Sequence, residues 1–323
     1  MISGFLITGI LISENKNENF SIINFYERRA RRLLPALFFI LTITILLSIL
    51  ILTPNDFHHF SKSILPTVAI YSNVFFAETT SYFSPHAESM PLLHMWSLSL
   101  EEQFYLFFPL ILSACFLFKE KSKVVVFAFL VTCAIFSYTI MVVAQSLGIS
   151  SFAFFSLPTR AWELLSGGIL AFMLPYFKKT NVVLNQCLAF LGAFYIALSV
   201  VFLNKESSWP SHETLLPVFG TLLILGFGTR DTIIGKALSF KPFVIIGLMS
   251  YSLYLWHQPL LVFSRAINIG PLSILSTLLT IGLSLLLAYG TYVFIESPFR
   301  NKQQFSRSSI FCLSIALGAA IST

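Results

Sequence analysis

The sequence predicts an all-α polytopic membrane protein, a bundle of transmembrane helices. Its 323 residues are 56% hydrophobic and only 11% charged, and the mean hydropathy is +0.82. A soluble domain usually contains about a quarter charged residues. Apolar runs of about twenty residues, long enough to cross a bilayer, also follow one another along the chain. These runs argue against the alternative of a large soluble helical protein.

The apolar runs predict about ten spans, of which the first and the last are incomplete. They lie near residues 1–13, 34–53, 97–118, 124–146, 160–177, 182–203, 214–229, 243–263, 272–295 and 309–323. The first run is too short for a hydrocarbon core of about 30 Å. We therefore expect another helix before Met1 and further chain after Thr323.

The basic residues predict the orientation of these spans. Sixteen of the 20 Lys and Arg residues fall in one alternate set of loops, and the other set has only Lys62, Arg160, Lys205 and Arg265. The positive-inside rule places the richer set in the cytoplasm. This bias explains the pI of about 9.1 without a nucleic-acid partner. The expected location is a bacterial cytoplasmic (inner) membrane, with the lipid bilayer as a partner.

The largest predicted outer segment is 54–96. Its middle, 64–76, is apolar but is interrupted by Pro66 and by Ser72-Asn73. We interpret it as an interfacial or re-entrant helix, because counting it as a span would invert every later loop.

A dense arginine cluster precedes the second predicted span. It comprises Arg28, Arg29, Arg31 and Arg32, on the side where CoA resides. Arginine binds phosphate through paired hydrogen bonds, so the cluster predicts an acyl-CoA site. The alternative is a topology anchor that binds anionic lipid.

Polar residues open the third predicted span from outside. Glu101 and Glu102 run into an apolar helix, which is unfavourable unless they face a polar cavity. On a continuous helix His94 would share a face with one or both carboxylates, an arrangement that suits general base catalysis. The alternative is a polar packing cluster, with Trp96 as an interfacial residue.

The fifth predicted span opens with Arg160 and Glu163, three residues apart and hence neighbours on one helix face. The spacing is compatible with two roles for these residues, a structural ion pair and a substrate contact. Gly167-Gly168 after them permits close helix approach.

Two further strings carry intramembrane polar groups. Tyr254 and His257 lie in 250–259, which we place in the outer half of its span, and Glu296 and Arg300 lie at a predicted cytoplasmic end. The first string fits a polar cavity wall, although a lone membrane histidine is more often a satisfied hydrogen-bonding residue.

Several kinds of site find no support in the sequence. The four cysteines are scattered singly, without metal or redox spacing, and no nucleophile elbow, P-loop or HExxH motif occurs. We expect no bound metal and no bound cofactor.

Six strings, in this order, resemble the membrane acyltransferase-3 family, specifically its O-antigen and peptidoglycan O-acetylase branch. They are Ser3-Gly4-Phe5-Leu6-Ile7, Arg29-x-x-Arg32-x-x-Pro35, His94-x-Trp96-Ser97-Leu98-x-x-Glu101-Glu102-Gln103-Phe104-Tyr105, Arg160-Ala161-Trp162-Glu163-Leu164, Ser250-Tyr251-Ser252-Leu253-Tyr254-Leu255-Trp256-His257 and Glu296-x-Pro298-Phe299-Arg300.

The resemblance implies transfer of an acyl group, usually acetyl from acetyl-CoA, to a saccharide hydroxyl of lipopolysaccharide O-antigen or peptidoglycan. It places Arg29 and Arg32 at the CoA phosphates. It also implies an acyltransferase membrane domain over 1–308, lacking its first helix with the main catalytic histidine. Residues 309–323 would begin a helix that leads to a periplasmic SGNH-type domain. A secondary transporter and an inactive fragment of such an acyltransferase are the alternatives.

Overall fold

The structure is a computed structural model that describes residues 1–16, 21–79, 89–116, 122–177, 181–203, 209–268 and 272–301, together with Phe305 and Gly318. Every regular element within these ranges is helical, and they contain no strand. The helices are α1 (Ile2–Lys16), α2 (Ile22–Ile51), α3 (Pro54–Val68), α4 (Ser72–Thr79), α5 (Met95–Phe116), α6 (Ser122–Ser146), α7 (Ser150–Phe155), α8 (Leu157–Phe177), α9 (Val182–Phe202), α10 (Leu215–Phe227), α11 (Ile233–Leu238), α12 (Lys241–Leu248), α13 (Ser250–Ile267), α14 (Ile274–Thr291) and α15 (Ser297–Arg300).

The all-α membrane class is confirmed, whereas the number of about ten spans stays a prediction. Four stretches among the described residues are long and apolar enough to cross a membrane: Ile22–Ile51, Val124–Ser146, Val182–Phe202 and Ile274–Arg300. Helices α5 and α8 contain 22 and 21 residues. The first eight residues of α5 include Trp96, Glu101 and Glu102, and the first seven of α8 include Arg160 and Glu163. The last predicted span, 309–323, lies outside the described residues except for Gly318.

The chain divides into two compact units, and the three divisions fall between α1 and α2, within α5 and within α12. The first unit comprises Met1–Phe20 and Leu100–Val244. In it α8 packs against α1 and α6, and α9 packs against α10. Small residues allow this approach, because a Cβ atom on Gly4 would lie 1.9 Å from the carbonyl oxygen of Leu164. A Cβ atom on Gly167 would lie 2.1 Å from the carbonyl oxygen of Met1, so the predicted close approach is confirmed.

The second unit comprises Ser21–Ser99 and Ile245–Thr323. Its helix α13 packs against α2 and α14 around an apolar core. The core includes Leu37, Phe60, Leu92, Leu255 and Trp256, and each of these residues is less than 9% exposed. This unit contains the four arginines of α2 together with His94 and His257.

Helix α2 begins twelve residues earlier than its predicted span. Ser21 caps it by accepting a hydrogen bond from the backbone N–H of Asn24 at 3.4 Å. The arginine cluster therefore lies inside the helix, since arginine is a good helix former although it lowers hydropathy.

The run predicted as a single span at 243–263 contains two helices. Helix α12 ends at Leu248 and α13 begins at Ser250, with Met249 between them. The backbone hydrogen bonds of the helical ladder continue through Met249, since its N–H donates to Ile245 and its carbonyl accepts from Leu253. The two helices differ in packing, because α12 has no buried residue whereas α13 is buried along one face.

The outer segment contains two helices rather than one. Pro66 lies inside α3 and does not interrupt it, and the break comes at Ala69–Tyr71, where Ile70 has a φ of 61°. Residues 90–94 return to the core of their unit, since Met90, Leu92, Leu93 and His94 are all buried. His86 lies outside the described residues.

Candidate functional site

The four arginines of α2 do not have the same environment. Arg31 is 3% exposed, and its Nε atom donates to Oε1 of Glu27, one helical turn earlier, at 2.9 Å. A second guanidinium nitrogen of Arg31 donates to the carbonyl oxygen of Phe305, also at 2.9 Å. Arg31 is therefore a buried structural residue, whereas Arg28 and Arg32 are exposed and Arg29 is half-buried.

A fully buried carboxylate lies beside Arg32. Glu296 is 0% exposed, and its Oε2 atom accepts a hydrogen bond from the hydroxyl of Ser252 at 3.0 Å. Its Oε1 atom lies 3.9 Å from Nε of Arg32 and 3.7 Å from a guanidinium nitrogen of Arg300. These four residues, Arg32, Ser252, Glu296 and Arg300, form the Glu296 cluster.

The 250–259 string runs along α13 from the Glu296 cluster towards the predicted outer segment. Because α13 begins at Ser250, Ser252 lies in its first turn and pairs with the end of the last long apolar stretch. One turn later, the indole N–H of Trp256 donates to the hydroxyl of Thr291 at 2.9 Å. Near the end of the string, the ring of His257 lies beside that of His94 and the side-chain amide of Gln258 donates to the carbonyl oxygen of Met90.

His94 lies in the turn that precedes α5. Its imidazole ring centre is 5.0 Å from that of Tyr254 and 5.1 Å from that of His257. The hydroxyl of Tyr254 donates to the carbonyl oxygen of His94 and also contacts the hydroxyl of Ser97 at 2.7 Å. Since α5 begins at Met95, helical periodicity does not extend to His94, and the predicted helix face shared with the carboxylates loses its basis.

The imidazole of His94 is buried. The residue is 7% exposed, and neither ring nitrogen makes a hydrogen bond of standard geometry, although the backbone oxygen of Pro91 is close enough to favour the charged ring slightly. Burial lowers the pKa of His94 well below its ordinary value, and the neighbouring imidazole of His257 lowers it further. His94 is therefore neutral at pH 7 and able to accept a proton.

A groove of about 390 Å³ lies between α13 and α14, beside His257. Its wall on α13 follows one helix face through Ser250, Leu253, Tyr254, His257 and Leu261. Its wall on α14 is formed by Thr280, Ile281, Ser284 and Leu285. The groove thus combines an apolar lining with two polar rings from the string 250–259.

In the first unit, the carboxylate of Glu101 holds two hydroxyl groups. Its Oε2 atom accepts hydrogen bonds from Ser3 at 3.0 Å and from Tyr105 at 3.1 Å. Glu102, the next residue, is half-buried. The contact with Glu101 explains why the first sequence string has a serine at position 3. The close approach of α1 to α8 explains why it has a glycine at position 4.

Arg160 and Glu163 form the ion pair that their spacing predicts. The Nε atom of Arg160 lies 2.5 Å from Oε1 of Glu163, and a second guanidinium nitrogen donates to Oε2 at 3.0 Å. The two side chains are 16% and 18% exposed. The two side chains thus neutralise each other's charge. Trp162 between them is buried, and Trp96, in the first turn of α5, is half-buried.

Sequence reasoning missed the hydroxyl groups that organise these sites. Ser3, Ser97 and Ser252 each contact a predicted site residue. All three stand inside the six strings, so their position in the motifs was the available signal. In the described part of the chain, no group of three or more His, Cys, Asp or Glu residues is placed to hold a metal ion.

Comparison with known proteins adds a family relationship. Residues 1–293 match the acyltransferase domain of the acyltransferase-3 family. The chain is 32% identical over 314 residues to a Staphylococcus aureus protein named O-acetyltransferase OatA, covering 94% of this chain and 51% of that protein. It is also 32% identical over 313 residues to a putative O-acetyltransferase of the same species, covering 94% and 52%. The chain therefore spans about half the length of these curated relatives. No solved structure matches.

Proposed function

Because the chain belongs to the acyltransferase-3 family, we propose that it transfers an acyl group, in the first place acetyl, from cytoplasmic acyl-CoA to a hydroxyl of a cell-surface glycan. Peptidoglycan and lipopolysaccharide O-antigen are the expected acceptor classes. The protein would act in the bacterial cytoplasmic membrane. The names of the two Staphylococcus aureus relatives support acetyl as the transferred group and oxygen as the acceptor atom.

The observation that carries this proposal is the placement of His94. It is a buried, neutral imidazole whose ring nitrogens make no hydrogen bond of standard geometry, and it lies against His257. His257 is on α13, the helix that also contributes Ser252 to the Glu296 cluster. Ser252 and His257 are five residues apart, which is a rise of about 7.5 Å and a rotation of about 140°, so they lie on different faces of one helix. The arginines proposed to bind the donor and the candidate base therefore belong to the same unit.

In the proposed reaction, His94 acts as the general base. A ring nitrogen takes the proton of the glycan hydroxyl while the hydroxyl oxygen attacks the carbonyl carbon of the thioester. The tetrahedral intermediate then collapses, the carbon–sulfur bond breaks, and the CoA thiolate takes the proton back from the imidazolium. The products are a glycan O-ester and free CoA.

The remaining site residues have supporting assignments in this proposal. Arg29 and Arg32, which match the arginine motif of the family, bind the CoA phosphates. Tyr254 fixes the turn that carries His94, through its hydrogen bond to the carbonyl oxygen. Glu101 and Glu102 are assigned to the acceptor, as are Trp96 and the Arg160–Glu163 pair.

Transfer of radiolabelled acetyl groups tests the proposal. Membranes that contain the chain are incubated with labelled acetyl-CoA, and the label in extracted glycan is counted. His94→Gln should lower the rate by about 10²- to 10⁴-fold, which is the usual contribution of a general base. His58→Gln is the matched control, because His58 is exposed on α3. The proposed function fails if the wild-type chain labels no glycan, and the role of His94 fails if both variants keep the same rate.

A further inference from the structure

We propose that Arg32 and Arg300, held on the buried carboxylate of Glu296, clamp the diphosphate of the CoA donor, and that Glu296 is a positioning residue. The inference rests on the proposed function and deepens it. It adds to the arginine motif of α2 two residues from the other end of the chain, Glu296 and Arg300, which the sequence placed only at a predicted cytoplasmic end.

The charge of the Glu296 cluster favours an anionic ligand. One carboxylate faces two guanidinium groups, so the cluster carries an excess positive charge. The carboxylate is fully buried, whereas the side chains of Arg32 and Arg300 are each 45% exposed. The inner atoms of the cluster are thus shielded from solvent, and the outer N–H groups of both arginines face outward.

The distances in the Glu296 cluster leave the guanidinium N–H groups of Arg32 and Arg300 available to a ligand. The arginine nitrogens lie 3.9 Å and 3.7 Å from Oε1 of Glu296, beyond the 2.7–3.2 Å range of an N–H···O hydrogen bond. Coulomb attraction at this range orients the guanidinium groups without using up their N–H groups. Each guanidinium carries five N–H donors in a planar fork, which suits phosphate oxygens.

The helical segment that carries Arg300 is linked to α2 by side-chain contacts. Residues Tyr292–Glu296 form a π-helical turn, a rare element that occurs frequently at functional sites. After α15, the ring of Phe305 stacks on Phe299 at 4.1 Å, and the carbonyl of Phe305 accepts a hydrogen bond from Arg31. The buried Arg31 therefore serves the clamp indirectly, by holding Phe305, and through its ring Phe299, against the helix that carries Arg32.

A phospholipid headgroup offers related phosphate chemistry and is the competing occupant. The structure favours the CoA diphosphate because two guanidinium groups face one surface, matching two linked phosphates.

Kinetics with two donors test the clamp. Acetyl-CoA contains the diphosphate, whereas S-acetyl-pantetheine lacks it. Arg300→Gln should raise KM for acetyl-CoA by about 10- to 100-fold, in line with the loss of charged hydrogen bonds, with kcat little changed. KM for S-acetyl-pantetheine should stay the same. Arg300→Lys should restore part of the affinity, and Glu296→Gln should act like Arg300→Gln. Arg230→Gln, which changes an exposed arginine of the first unit, is the control.

Direct binding separates the clamp from the transfer reaction. The protein in phosphatidylcholine nanodiscs is titrated with ADP, which carries the diphosphate without a thioester. Arg300→Gln should weaken ADP binding by about 10- to 100-fold, and Arg230→Gln should not. Equal ADP affinity in all three proteins overturns the clamp, as does loss of ADP binding in phosphatidylglycerol nanodiscs, which would identify the lipid as the occupant. If ADP binds as expected but the wild type transfers no acetyl group, the proposed function fails and the clamp stands.

Discussion

Ser252 and Glu296 are joined by a buried hydrogen bond of 3.0 Å, although 44 residues separate them in the chain. The bond places the first turn of α13 against the end of the last long apolar stretch. Two strings that the sequence assigned to opposite ends of their spans thereby become one cluster.

Removing the Ser252 hydroxyl should destabilise the protein. Ser252→Ala leaves one oxygen of a fully buried carboxylate without its donor, which costs about 1–3 kcal/mol. Thermal unfolding of the purified protein in detergent should show a lower Tm. Ser146→Ala is the control, because Ser146 is exposed at the end of α6. Equal Tm values for the two variants would contradict the structural importance of this bond.

The contact of α1 with α8 should not tolerate a side chain at Gly4. Gly4→Ala would place a Cβ atom 1.9 Å from a backbone oxygen, so the helices must separate. Overpacking of this kind destabilises by about 1–3 kcal/mol or more. Gly9→Ala, on the same helix, meets no atom within 4 Å and should be neutral or slightly stabilising. The Tm of the two variants distinguishes them, and a Gly4→Ala protein as stable as Gly9→Ala would refute the close approach.

The Arg160–Glu163 pair should show strong coupling. Arg160→Leu leaves the partly buried Glu163 without its partner, and Glu163→Leu leaves the guanidinium group of Arg160 without its carboxylate. Each single change should destabilise by more than an exposed pair's 0.2–1 kcal/mol, because both side chains are mostly buried. The double variant should be less destabilised than the sum of the two. A double-mutant cycle from denaturation measurements tests this, and additive losses would mean that the pair contributes no coupling.

Transfer should depend on pH through His94. Its pKa lies below the ordinary value of about 6.5, since burial and the imidazole of His257 both oppose the charged form. The base stays active while neutral, so the rate should hold as pH falls through 6.5 and decline only below it. Because the pKa is depressed by folding, stability should likewise be retained above about pH 6.5 and fall at lower pH. A rate profile whose acid limb lies at or above pH 6.5 would argue against His94 as the base.

Sequence patterns predicted what depends on local spacing. The Arg160–Glu163 pair followed from a spacing of three on a helix, and the close helix approach at Gly167 followed from its missing side chain. The burial of Arg31 also had a local signal, since Glu27 stands four residues before it. The Glu296 cluster had none, because its members come from three separate segments and meet only through tertiary packing. The ring contacts of His94 had no local signal either, because Tyr254 and His257 belong to α13.

The ester content of the cell-surface glycan tests the central claim most directly. Glycan from bacteria that express the wild-type chain or His94→Gln is analysed by mass spectrometry, before and after mild alkali, which cleaves esters. The wild-type glycan should carry an alkali-labile acetyl group that is lost or strongly reduced with His94→Gln and retained with His58→Gln. Equal ester content in cells with and without the chain would contradict the account.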